Sequence, residues 1–259
     1  MSLLDLFSGQ NIIVFIIVLT RLSGLITTAP LFSTYPIPPQ VKVWLVALIA
    51  FIMYPMVVAK SSFVVPTNMI ALTLFLIKEF IIGALIGFIA NFIFVGVQMS
   101  GQFLSQQVGL AMSNVLDPAT QSQVPVIGEF YLLLTTMLFL VLNAHQMLFT
   151  TVYQSFITIP PGINLLFAPA LVDQVLHLSS DIFLIALKVV LPIFCVLFVL
   201  EVLLGVLAKM IPQMNIFMVA IPVKIYVGLI LMILFAPPMA TYLRNLIENH
   251  MSTLLKMFM

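Results

Sequence analysis

Long runs of apolar residues, separated by short polar stretches, set the pattern of this chain. Six runs are separable, at roughly residues 12–28, 41–59, 68–99, 130–153, 182–207 and 216–242. A helix needs ~20 apolar residues to cross the ~30 Å of hydrocarbon in a bilayer, and most of the runs reach that length. Backbone groups in lipid must pair within their own segment, so the runs predict helices. An outer-membrane barrel would show short alternating strands instead.

Two features depart from a simple series of crossings. The third run continues past Met99 into GQFLSQQ, interrupted only by Gly96 and Gly101. A helix over residues 68–107 would rise ~1.5 Å per residue, about twice the membrane thickness. It must be strongly bent, broken or partly outside the bilayer. Prolines also fall inside apolar runs, at Pro55, Pro192, Pro222, Pro237 and Pro238, and each removes a helix hydrogen bond. Such positions survive at membrane depth where neighbouring protein re-satisfies the backbone, which suits a component of an assembly.

Composition excludes a soluble protein. Of the 259 residues, 63% are hydrophobic and only 7% charged, against about 25% charged in ordinary globular domains. So few charges cannot cover a water-exposed surface of this size. The fold class expected is an all-α membrane protein of about six helices, several kinked or broken, with residues 1–259 forming one integral membrane domain. The N-terminus lacks the basic stretch of a cleaved signal peptide, so the first apolar run reads as part of the mature chain.

Charge adds little steering. The formal net charge is +1 and the basic residues are scattered singly, which argues against nucleic acid as a partner. Lys and Arg do not favour one side. Asp5, Lys60, Asp173, His177, Asp181, Arg244, Glu248 and Lys256 fall on one face of the alternation, and Lys42, Asp117, Glu129 and Lys209 on the other. A weak bias fits helices that do not simply run back and forth through lipid. The single cysteine, Cys195, lies in an apolar run and forms no internal disulfide.

Candidate chemistry is sparse. The histidines His145, His177 and His250 sit in different segments without metal-ligand spacing. No Gly-rich phosphate loop, nucleophile elbow or HExxH motif is present, so neither a catalytic residue nor a cofactor is expected. Ionisable residues inside apolar runs are functional candidates by default, and here they are Lys78, Glu79, Glu201 and Lys209, with Lys188 and Lys224. Lys78 and Glu79 are adjacent and point apart on a helix. Glu201 and Lys209, eight residues apart, share a face two turns from each other. They would line an ion or proton path, or grip a translocating substrate. The plainer alternative is salt bridging between helices or subunits, or snorkelling near helix ends. Gly83 and Gly87 form a GxxxG that lets two helices approach closely, within the chain or between subunits.

The stretch at residues 98–129 is rich in Gln, Ser, Asn and Gly, carries only Asp117 and Glu129 as charges, and mixes in Leu110, Met112, Val115 and Leu116. Irregular backbone between membrane helices is tolerated where it is buried in protein or lines a watery cavity. Flexible methionine suits a constriction that closes around many sequences or around nothing. An ordinary exterior loop is the alternative. Asp117–Pro118 reads as a turn.

At these residues the chain resembles the FliR family of flagellar export components, with its SctT relatives in virulence injectisomes. Three blocks carry the resemblance: RLSGLITTAPLFSTYPIPPQVKVWLVALIAF at residues 21–51, GQFLSQQVGLAMSNVLDPATQSQVPVIGEF at residues 101–130 with the downstream Asn143-Ala144-His145, and ALKVVLPIFCVLFVLEVLLGVLAKMIPQMNIFMVAIPVKIYVG at residues 186–228. The central block is the more flagellar in character.

The resemblance implies a subunit of the type III export gate in the bacterial inner membrane, at the flagellar basal body. One such chain would join FliP and FliQ subunits in a helical assembly, with FlhB and FlhA as further partners. Unfolded flagellar export substrates would pass through its pore. It also implies a plug loop at about residues 106–123, with Gln106, Gly109, Leu110, Met112, Val115, Asp117 and Pro118 as its plug residues. Family members often carry aromatic residues where this chain has Met112 and Val115, and usually NGH where it has Asn143-Ala144-His145. Two other readings compete: a small-solute or ion transporter using Lys78, Glu79, Glu201 and Lys209, and an injectisome gate subunit. An intramembrane enzyme would need paired catalytic groups that the chain lacks.

Overall fold

A computed structural model describes residues 9–34, 36–58, 68–110, 126–161, 169–211, 213 and 216–258. Every regular element among them is a helix. In chain order they are α1 (Gly9–Thr28), α2 (Pro30–Thr34), α3 (Pro39–Val58), α4 (Met69–Val108), α5 (Val126–Val141), α6 (Ala144–Thr158), α7 (Pro169–Met210) and α8 (Ile216–Met257). Several hydroxyls buried in these apolar helices are satisfied by the helices themselves, whereas Tyr54 Oη and Ser105 Oγ are buried without a hydrogen-bond partner among the described residues. Ser100 donates to Val97 O at 2.6 Å, Thr135 to Tyr131 O at 2.7 Å and Thr136 to Leu132 O at 2.8 Å, so these three need no water at depth.

The third run is one continuous helix of 40 residues, ~60 Å at 1.5 Å per residue. The last two runs are parts of 42-residue helices, the fifth lying in the C-terminal two thirds of α7 and the sixth starting at the first residue of α8. Hydropathy marked their apolar stretches and missed the polar turns at 169–181, before the fifth run, and at 243–257, after the sixth, where helical hydrogen bonding extends beyond the apolar residues. Pro55, Pro192, Pro222, Pro237 and Pro238 all lie inside helices.

The fourth run corrects the sequence reading: residues 130–153 are not one helix but parts of α5 and α6. The cause is Asn143, in the left-handed region with φ 53° and ψ 25°. Asn is among the few residues that tolerate this conformation, and nothing in the hydropathy of the run announces it.

Among the described residues, four helices are long and apolar enough to cross a membrane: α3, α4, and the segments Asp173–Met210 and Met218–Met257. The α5–α6 pair makes a fifth if counted as one span, and the apolar part of α1, Ile12–Thr28, is shorter.

The chain divides into two compact units. The first comprises residues 1–92, 143–179 and 248–259. Its core joins Ile17, Leu22 and Leu25 of α1, Ala50 and Val57 of α3, Ile86 and Ile89 of α4, Val152 and Phe156 of α6, and Met251 and Leu254 of α8. The C-terminal turns of α8 are tied in by Thr158, which donates to Phe258 O at 2.6 Å, and by His250 Nε2, 2.9 Å from Ile89 O. The second unit comprises residues 93–142 and 180–247. It packs Phe94, Val97 and Leu104 of α4 with Tyr131 and Phe139 of α5 and Ile185, Val189, Ile193 and Leu197 of α7. The rings of Phe94 and Phe139 meet edge to face, 5.4 Å apart.

Candidate functional site

The end of α4 and the start of α5 flank the segment for which the family resemblance implies a plug. Their stems meet at two glycines of the second unit. A Cβ on Gly101 would lie 2.7 Å from Gly128 N and collide with Gly128 Cα. Only a bare backbone on α4 lets α5 come this close.

Past Gly101 the last turn of α4 is held on two sides. Val108 is buried and packs on Gly228 of α8, where an added Cβ would lie 2.6 Å from Val108 Cγ2. Gln107 Nε2 donates to Glu201 Oε2 of α7 at 3.1 Å, and Lys224 Nζ of α8 donates to Glu201 Oε1 at 2.9 Å. One carboxylate therefore serves two helices, an oxygen each. Its side chain is 51% exposed and that of Lys224 only 16%.

The helix then ends. Gly109 adopts φ 89°, a value L side chains rarely reach, and its N–H caps back to Gln106 O at 3.1 Å. Gln106 is exposed, and Leu110 is half-buried. Met112, Val115, Asp117 and Pro118 lie outside the described residues.

The other charges fall in different settings. Glu201 is bonded to Lys224, not to Lys209, which sits exposed in the last turn of α7 where a cation favours the helix dipole. Lys78 is half-buried, while its neighbour Glu79 is fully enclosed in the first unit.

Glu79 belongs to a buried network that the sequence reading did not find. Arg21 of α1 is completely buried, and its Nη2 lies 2.6 Å from Glu79 Oε2 of α4. Its Nε donates to the same oxygen at 2.8 Å, Nη1 donates to Ser155 Oγ of α6 at 2.9 Å, and Nη2 reaches Ile159 O at 3.3 Å. The guanidinium carbon sits 3.9 Å above the centre of the Phe156 ring. Ser155 Oγ in turn donates to Val152 O at 2.6 Å.

The network sits beside a close helix crossing. A Cβ on Gly24 of α1 would collide with Phe80 O, and one on Gly83 of α4 with Arg21 O. A Cβ on Gly87 would lie 2.8 Å from Ala29 N. Thr28 Oγ1 donates across the crossing to Ala84 O at 2.9 Å. The GxxxG at Gly83 and Gly87 thus packs on α1 of the same chain. The signal for the ion pair was present but unread: Arg21 stands three residues before Gly24, and Glu79 four before Gly83. Both charges flank glycines that would bring their helices into contact.

Among the described residues, no group of three or more His, Cys, Asp and Glu is placed to hold a metal ion.

Comparison with known proteins places the chain among relatives. Residues 12–250 match the family described as bacterial export proteins, family 1. The flagellar biosynthetic protein FliR of Escherichia coli (strain K12) is 31% identical over 231 residues, 89% of this chain and 87% of the relative. That of Bacillus subtilis (strain 168) is 29% identical over 258 residues, 98% of this chain and 95% of the relative. The Yop proteins translocation protein T of Yersinia pestis is 29% identical over 205 residues, 76% of each chain.

Proposed function

This chain belongs to the bacterial export proteins, family 1, and is a membrane-embedded subunit of a type III protein export apparatus; we propose that within it the chain is a wall and a seal rather than a catalyst. The observation that carries the reading is the match of residues 12–250 to that family. Near-full-length likeness to two flagellar biosynthetic proteins favours the flagellar apparatus over the injectisome.

On this reading the chain sits in the bacterial inner membrane at the flagellar basal body, acting as one domain over residues 1–259. It assembles with FliP and FliQ subunits, adjoins FlhB and FlhA, and lines a pore for unfolded flagellar subunits. The loop at about 106–123 seals that pore between passages. The stems that bracket it support the assignment. Gly101 and Gly128 bring its two ends together, and Gly109 ends α4 where the loop begins. The buried Arg21–Glu79 pair counts against the transporter reading at Glu79, since a carboxylate enclosed by Arg21, with Ser155 and Phe156 around that guanidinium, is not open to a passing ion.

The test is purification of the tagged chain from its native membrane in mild detergent, followed by native mass spectrometry. A discrete complex holding FliP- and FliQ-like chains is expected. Recovery of the chain alone or as a homo-oligomer would overturn the gate reading and favour a transporter.

A further inference from the structure

Helix α3 differs from the other long helices in what its open side carries. Its exposed residues Trp44, Leu48, Phe51, Ile52 and Met56 recur at the three- and four-residue spacing of one helix face. Val46, Ala50, Met53 and Val57 are buried on the opposite side. The one charge in α3 is Lys42, in the first turn, and no other follows as far as Val58. The three remaining long helices each bear a lysine inside the apolar stretch, Lys78 of α4, Lys188 of α7 and Lys224 of α8, none of them fully buried. Trp44, the chain's only tryptophan, stands 76% exposed at the head of the open face.

We propose that this face of α3 is the chain's seat on phospholipid, with the Trp44 indole at headgroup level setting how deep the helix sits. The order along the helix carries the assignment: a charge first, then tryptophan, then only apolar side chains. That is the polarity gradient from water to hydrocarbon, with tryptophan at the level it favours in membranes. An interface with another protein has no reason to reproduce it, and water is excluded by an open apolar face of this extent. Lys42 lies on the other side of the helix, half-buried. Its long stem lets the ammonium snorkel outward, and among the described residues no carboxylate pairs with it, which leaves it for a lipid phosphate. The hydrocarbon midplane lies ~15 Å below its surface, ~10 residues along a helix. Ile52 and Met56 therefore sit nearest the midplane. The seat does not depend on the plug at about 106–123.

The test places single nitroxides on α3 in the assembled complex, in vesicles of phosphatidylethanolamine and phosphatidylglycerol. With Cys195→Ser and the partner thiols removed, one label at a time is carried by Val41→Cys, Leu48→Cys, Ile52→Cys or Met56→Cys. All four positions are exposed, so a label needs no repacking. Collision with oxygen, which concentrates in hydrocarbon, is expected to rise from position 41 to positions 52 and 56. Collision with a water-soluble nickel chelate is expected to fall several-fold over the same positions. Rare collision with both reagents at 48 and 52 would reveal a protein neighbour and overturn the seat. Frequent collision with the chelate there would reveal water and overturn it too. In complexes of unchanged mass, Trp44→Ala is expected to shift the oxygen-to-nickel ratio at position 48 several-fold. Trp44→Tyr should hold that ratio near the parent value, since tyrosine also favours the interface. An unchanged ratio in Trp44→Ala would overturn Trp44 as the residue that sets the depth.

Discussion

Arg21 is where a single side chain carries the most. A buried guanidinium is tolerated only when its donors are met, and here α1, α4 and the end of α6 together meet them. Removing one partner of such a pair strands the other charge, at a cost of about 3–5 kcal/mol, whereas replacing both by apolar residues is often neutral. Arg21→Met alone is therefore expected to lower the thermal midpoint of the detergent-solubilised complex sharply, and Glu79→Leu added to it to recover most of the loss. A double variant no better than the single one would show that the pair does more than neutralise itself. Arg21→Lys should also destabilise, since one ammonium cannot copy the planar fork that reaches Glu79, Ser155 and Ile159 at once. Legibility at this scale was uneven. Glu79 stood out as an acid in an apolar run, but its partner lies 58 residues away, a separation that no local pattern spans. The same holds for Glu201, whose cation is on the next helix and not one face away at Lys209.

Between helices, the contact of α1 with α4 depends on missing atoms. With Gly24 and Gly83 bare, each helix lays a backbone carbonyl where the other would carry a side chain. Gly83→Ala must push the helices apart, because the obstacle is the Arg21 backbone and cannot swing away. The same substitution at Gly205 of α7 meets nothing within 4 Å. There alanine only improves helix propensity, by up to ~1 kcal/mol. Measured as the amount of chain surviving limited proteolysis in membranes, Gly83→Ala is expected to fall several-fold and Gly205→Ala to match the parent. Equal survival of the two would contradict the close crossing. The GxxxG was readable because its spacing is a local pattern, while its partner helix was not. The helices themselves were legible wherever apolar character and helical hydrogen bonding coincide. They diverge at the polar ends of α7 and α8, which stay helical, and at Asn143, which breaks an unbroken apolar run by its φ alone.

Taken whole, the chain leaves its apolar surface uncovered in a graded way. In the most apolar window of α4, 61% of residues are buried, against 33% in α7, 28% in α3 and 6% in α8. Composition showed that the surroundings are apolar, but it does not distinguish lipid from protein, and the resemblance alone suggested partners. The exposed charges make that distinction. Lys188 is exposed near the middle of the 42-residue α7, ~30 Å from either end at 1.5 Å per residue. Hydrocarbon around it would be costly, so this face calls for neighbouring protein or water. The outer face of α3, with Leu48, Phe51, Ile52 and Met56 exposed, carries no such charge and suits lipid. We propose that other subunits cover this charged face, and a chain so covered gains stability from them by mass action. Produced alone, it should accumulate several-fold less in the membrane and be cleared by proteolysis, and co-production of the other gate subunits should restore it. Lys188→Glu should weaken that rescue even with every partner present, because it reverses the charge at the covered face. If the lone chain accumulated fully and neither the partners nor Lys188→Glu changed its level, α7 would face lipid after all, and the exposed charges would return to the account of a transport path.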